Sequence, residues 1–191
     1  YSWAASAYAY IGDGKNAFKY LNGYFNFANR KHYWEIPGIG DNTMYREVGM
    51  CSETPCSFSK AINDMLIQSH NKIIQIIPAV PSEWKEVSFM NLRTEGAFLV
   101  TAVREKGQTK FFSVESLAGE PCIIRSDIKV ESILSTPKVE VVRESDYVFS
   151  VKINKGQKIT FFKENVNDLH FRYTKTTKNR ENNYWGSKRI N

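Results

Sequence analysis

Ser52-Glu53-Thr54-Pro55-Cys56-Ser57-Phe58-Ser59-Lys60-Ala61-Ile62-Asn63-Asp64-Met65-Leu66 decides how the first third of the chain is read. Apolar Phe58, Ala61, Ile62, Met65 and Leu66 recur at i, i+3, i+4, i+7 and i+8, one face of an α-helix. Thr54 is placed to cap the first free N–H groups. Pro55 suits the first helical position, because its missing N–H has no partner there and its φ is already helical. The pattern predicts a capped helix running to about Ser69. Glu53 falls just before it, where the helix N-terminus favours negative charge and keeps an exposed carboxylate ionised. Such a group suits a base, an orienting group or an acceptor for a sugar hydroxyl. It equally suits a plain helix-start acid, a common residue in first turns.

Working outward, Ser2 to Ile11 is rich in Ala and aromatics with no helix breaker. Gly12-Asp13-Gly14 then makes a tight break, and Asn16 to Ala28 resumes a helical pattern through Ala17, Phe18, Leu21, Tyr24, Phe25 and Ala28. Two helices joined by so short a turn form an antiparallel pair. Gly38 to Met50 reads as a loop, with Gly38, Gly40 and Asp41-Asn42 as turn signals. Beyond residue 71 the period changes to two. Lys72 to Ile77 reads as a strand, Pro78 and Pro81 interrupt, and short strands follow from Ser88. Ala97 to Arg104 and Gln108 to Leu117 predict a hairpin about Lys106-Gly107. Pro121 to Arg125, Ile128 to Leu134 and Lys138 to Arg143 follow. Tyr147 to Ile153 and Gln157 to Phe162 predict a second hairpin about Asn154-Lys155-Gly156. Strands at this spacing suggest an antiparallel sandwich. Helices followed by strands give an α+β class rather than a doubly wound sheet.

With 191 residues, 42% of them apolar, the chain is not a disordered protein. No run approaches the ~20 apolar residues of a membrane span, so no membrane partner is expected. The net charge of +6 is concentrated at one end: Arg172, Lys175, Lys178, Arg180, Lys188 and Arg189 face a single acid, Glu181, leaving +1 for the first 171 residues. A folded nucleic-acid binder carries its basic stripe on the structured domain, so nucleic acid is not an expected partner and 171–191 reads as a basic, polar, solvated tail. Three cysteines, Cys51, Cys56 and Cys122, give no disulfide framework and read as small buried apolar groups. His32, His70 and His170 lack ligand spacing, so no metal and no cofactor is expected.

Three segments resemble a known family. Glu53-Thr54-Pro55, then Asp64-Met65-Leu66-Ile67-Gln68-Ser69, then Ile76-Ile77-Pro78-Ala79-Val80-Pro81 with Trp84, resemble glycoside hydrolase family 95, the α-L-fucosidase family, in its pattern E-M-L-L-Q-S … L-P-A-L-P-x-x-W. Asn91-Leu92-Arg93-Thr94-Glu95-Gly96-Ala97-Phe98 is similar to its G-L-R-A-R-G-G-F, and Ser116-Leu117-Ala118-Gly119 matches a further strand end. Trp3 and Ile11-Gly12-Asp13-Gly14 with Ala17 are similar to its A-W … A-R-L-G-D-G-x-x-A helix pair. The order is collinear over about residues 1 to 126.

The resemblance implies the last helices of an (α/α)6 toroid over 1–70, an antiparallel β-sandwich C-terminal domain over 71–170, and a tail. It implies a carbohydrate substrate, and it implies the N-terminal part of the same protein as the partner that completes the ring. It also implies a secreted or periplasmic location, although the opening Tyr1-Ser2-Trp3-Ala4 shows no signal peptide and reads as the interior of something longer. Family members are inverting enzymes. Their general acid and the Asn pair that positions water fall upstream of the segments matched here. An acidic residue of the family's Q-I-D-G-N-F-G segment falls on Glu53, the one catalytic candidate carried over. Cys51-Ser52-Glu53-Thr54-Pro55 departs from that pattern around it, which marks a divergent relative.

The remaining candidates come from the loop before the helix. Glu47 is a second carboxylate six residues before Glu53, Arg46 is its partner or a sugar contact, and Trp34 and Tyr45 are platforms for a sugar ring or anchors of the loop. Trp84 reads as a wedge at the domain junction, His70 as a residue facing the negative end of the helix, and Trp3 as core. Hydrolysis of a terminal glycosidic bond is therefore the expected activity of the parent protein, with this portion inactive alone. The alternatives are a non-catalytic carbohydrate-binding or structural module, or another (α/α)6 enzyme such as a phosphorylase or lyase.

Overall fold

The computed structural model describes residues 1–29, 34–35 and 53–164, with side chains for 1–23 and 55–164. The chain opens with α1 (Ser2–Tyr10) and α2 (Gly14–Phe27). The turn between them follows from its glycine and its acid. Gly12 takes φ of 79°, which only glycine adopts without strain, and ends α1 with N–H donation from Gly12 to the Ala9 carbonyl (3.0 Å) and from Asp13 to the Tyr8 carbonyl (2.9 Å). Asp13 then starts α2: its Oδ1 accepts from the Asn16 amide at 3.0 Å and its Oδ2 from Asn16 Nδ2 at 2.6 Å. Those two bonds, the backbone one foremost, hold the Asp13 carboxyl below the usual aspartate range.

Two short strands, β1 (Ala28–Asn29) and β2 (Trp34–Glu35), pair with each other. Helix α3 spans Glu53–Leu66. It begins earlier than expected, so Thr54 lies inside the first turn rather than capping it. Pro55 is still where a lost N–H costs nothing, since the first four amides of a helix have no internal acceptor. The helix also ends short of Ser69, because the chain turns at once into β3 (Ile67–Gln68), whose pairing with β4 (Ile73–Ile76) takes over the backbone groups. The three helices meet in one buried cluster, Ala5, Ala9, Ala17, Leu21, Ala61 and Met65, which Ala79 of the segment after β4 joins. Trp3 is not part of it. It is 82% exposed, because α1 turns the face carrying Ser2, Ala5 and Ala9 inward and Trp3 lies off that face.

The rest is a sandwich of two five-stranded sheets. Besides β3 and β4, its strands are β5 (Val87–Thr94), β6 (Phe98–Glu105), β7 (Gln108–Ser116), β8 (Cys122–Arg125), β9 (Ser132–Ser135), β10 (Glu140–Arg143), β11 (Val148–Lys152) and β12 (Lys158–Phe162). One sheet runs β5-β6-β7-β12-β9, all antiparallel; the other runs β10-β11-β8-β4-β3. In the second sheet β4 and β8 are parallel, which corrects the purely antiparallel expectation. The hairpin about Lys106-Gly107 forms as expected. The one about Asn154-Lys155-Gly156 does not: β11 pairs with β8 and β10, whereas β12 pairs with β7 and β9. The turn carries the chain from one sheet to the other. Both strands alternate apolar and polar, and that pattern is the same whether the next strand lies beside the first or across the core. Phe149 and Phe161 meet across the gap with ring centroids 5.1 Å apart, and Phe161 stacks on Phe112 at 4.8 Å.

Candidate functional site

The sugar site expected at the head of α3 falls only in part within the described residues. Glu53 is the first residue of α3, and Trp34 pairs with Asn29 in the β1–β2 ribbon. β2 runs beside α3, so the backbones of these two candidates belong to neighbouring elements. Their side chains lie outside the described residues, as do Tyr45, Arg46 and Glu47 altogether. Of the thiols, Cys122 is buried and pushed up to about 12 by desolvation, which keeps it protonated. Cys56 is free and exposed on α3, against the expectation of burial, and Cys51 lies outside the described residues.

What the structure does bring together is the set of short segments that stood out in the sequence. Gln68, 5% exposed, donates through Nε2 to the Ala9 carbonyl and to the Asp64 carbonyl, both at 2.8 Å. It thereby ties the end of α1 to the end of α3. The Ile77 and Ala79 amides donate to the Leu66 and Met65 carbonyls at 2.9 and 3.2 Å. Gly14 sits so close to Ala79 that a Cβ there would lie 2.5 Å from the Ala79 carbonyl oxygen. Trp84 packs edge-on against Phe18 at 5.4 Å, the wedge expected of it. The Gly-Asp-Gly turn, the tail of α3 and the Pro78–Pro81 segment thus form one seam between helices and sandwich.

Beside the seam lies a recess of about 340 Å³, walled by the end of α1, the second half of α3 and the turn between β5 and β6. Its floor is Asp64, whose side chain is 12% exposed, and its rim is Lys60, at 55%. Lys60 Nζ donates to Asp64 Oδ2 at 2.6 Å and to the Tyr10 hydroxyl at 2.7 Å; the Tyr10 hydroxyl lies 3.4 Å from Asp64 Oδ1. Burial works against the Lys60 charge, but the bonds to Asp64 and Tyr10 outweigh it and raise its pKa. The His70 ring meets Tyr10 edge-on at 5.4 Å, and its Nδ1 is buried with no hydrogen-bond partner among the described residues. Arg93 and Glu95 complete the wall. Sequence reasoning passed over this recess. Lys60 and Asp64 share a helix face at i, i+4, which is readable, but Tyr10, Arg93 and Glu95 arrive only through tertiary folding.

Residues 68–161 match the family model described as Glycoside hydrolase family 95, C-terminal domain. The match begins at Gln68, so the three helices and every expected sugar contact lie outside it. No curated protein matches the chain. The matched span takes in the sandwich strands from β4 onward, all but the last residue of β12, together with the Pro78–Trp84 half of the seam, and residues 68–161 are the C-terminal domain of a glycoside hydrolase family 95 protein.

Proposed function

We propose that this chain is the C-terminal portion of an inverting glycoside hydrolase that releases a terminal, L-fucose-like sugar. The family match over the sandwich carries the reading. In an inverting mechanism one carboxylic acid protonates the leaving oxygen while water attacks the opposite face of the ring. In this reading the acid and the groups that hold the water come from the preceding part of the same protein. Glu53, at the positive end of α3, lines the sugar site from the other side, with Trp34, Tyr45, Arg46 and Glu47 around it. One wall of a site cannot hold acid, water and sugar in register, so this portion alone is inactive.

The outer face of α1 supports the pairing with the preceding part. Trp3 in the first turn of α1 and Ile11 just past its end are 82% and 75% exposed, apolar surface of the kind that packs on another helix. Further toroid helices are the occupants proposed here, with 1–70 as the closing arc. The test is product analysis of the full-length protein on aryl α-L-fucosides and on fucosylated oligosaccharides. Free sugar released with inverted anomeric configuration is expected. A sugar phosphate would make the protein a phosphorylase, an unsaturated uronide a lyase, and saturable binding without turnover a non-catalytic module; each would overturn the proposal.

A further inference from the structure

Asp64 is placed against the electrostatics of its own helix. It lies in the last turn of α3, where the dipole favours cations; among the described residues that turn holds no basic side chain, and Asp64 is only 9% exposed. Its i, i+4 partner Lys60 lies on the N-terminal side, the weaker orientation for such a pair. Departures from local rules of this kind gather at functional sites, where the group is kept for what it meets. Here the carboxylate opens into a concavity at the small end of the range for small-molecule sites, about 300–1,000 Å³.

We infer that the recess between α1, α3 and the β5–β6 turn is a binding site for a neutral saccharide, separate from the site headed by Glu53. Asp64 lies eleven residues along α3 from Glu53, which at ~1.5 Å per residue places it about 16 Å away. The charge of the lining selects the ligand class. Lys60 and Arg93 are matched by Asp64 and Glu95, so no surplus cation greets a phosphate, sulfate or uronate, and no surplus anion greets an amine. What the wall offers is acceptors beside donors, the arrangement that satisfies hydroxyls, each of which donates and accepts. The unpaired Nδ1 of His70 adds a polar atom that a small turn of the ring presents to an entering hydroxyl.

The experiment is isothermal titration of the intact protein, and of variants Asp64→Asn, Glu95→Ala and Glu53→Gln, with L-fucose, D-galactose and D-glucose, with D-glucuronate and inorganic phosphate as charged controls. Circular dichroism melts show which variants fold. Glu95 is exposed, so Glu95→Ala keeps the test open if Asp64→Asn destabilises the seam. A neutral sugar is expected to bind, with affinity about tenfold weaker in Asp64→Asn or Glu95→Ala and unchanged at this site in Glu53→Gln. Absence of neutral-sugar binding, tighter binding of glucuronate or phosphate, or binding abolished by Glu53→Gln and indifferent to Glu95→Ala would each overturn the inference. Because Glu53→Gln addresses the other site, failure here leaves the hydrolase reading to its own assay.

Discussion

Gly14 has no room for a side chain. A methyl group there would meet the Ala79 carbonyl oxygen at 2.5 Å and its carbon at 2.8 Å, and both atoms belong to backbone held in the seam. Gly14→Ala is expected to cost about 1–3 kcal/mol through overpacking, read as a fall of several degrees in Tm by calorimetry. An unchanged Tm would mean that the seam yields freely. The requirement was half legible in the sequence. Gly12-Asp13-Gly14 announces a turn, and Gly12 serves it with positive φ, but Gly14 answers to a segment 65 residues away. Gln68 is similar: its position after the α3 stripe was visible, its two carbonyl partners were not. Trp3 shows the opposite failure. Its hydrophobicity reads as core, and only the packing of α1 on Ala5 and Ala9 shows which way it points.

Between elements, the two sheets are tied by a polar group as well as by phenylalanines. Arg104 of β6 lies 3.2 Å from Asp127, just past β8, and the Thr109 hydroxyl of β7 donates to the same carboxylate oxygen at 2.7 Å. Burial raises the Asp127 carboxyl above its ordinary 3.8, against the pull of Thr109 and Arg104. The folded chain therefore holds this proton more tightly than the unfolded chain. The stability it contributes is present at low pH and lost as pH rises through the window just above 3.8. Asp127→Asn cannot titrate, so its stability relative to the wild type is expected to grow as pH rises above the ordinary 3.8 of the carboxyl, measured by urea denaturation at each pH. A gap that stays flat or shrinks would mean that the ion pair outweighs burial. Element types were largely readable from period alone, because periods of 3.6 and 2 follow from backbone geometry. Pairing was not. β11 and β12 carry the alternation of a hairpin, yet Asn154-Lys155-Gly156 takes the chain across the core, and the parallel β4–β8 pair left no local signal.

At the scale of the whole molecule, the sandwich buries its own core while the helical part leaves Trp3 and Ile11 outward. The family match covers Gln68 and the Pro78–Pro81 segment of the seam, and these hold the end of α1, the turn and the α3 tail, which lie outside the match. The proposed sugar site rests on Glu53 at a helix head with Trp34, Tyr45, Arg46 and Glu47 before it in the sequence, and its acid and water-holding groups are proposed to come from the preceding part of the protein. The most direct measurement is kcat/KM of Glu53→Gln in the full-length protein on an aryl α-L-fucoside, alongside its melting curve. The amide keeps the shape and removes the charge. A loss of at least about 100-fold with an unchanged melt is predicted, in the range typical of a group that handles protons or holds the reacting sugar. Activity within about threefold of the wild type, below ~0.7 kcal/mol of transition-state stabilisation, would contradict the account.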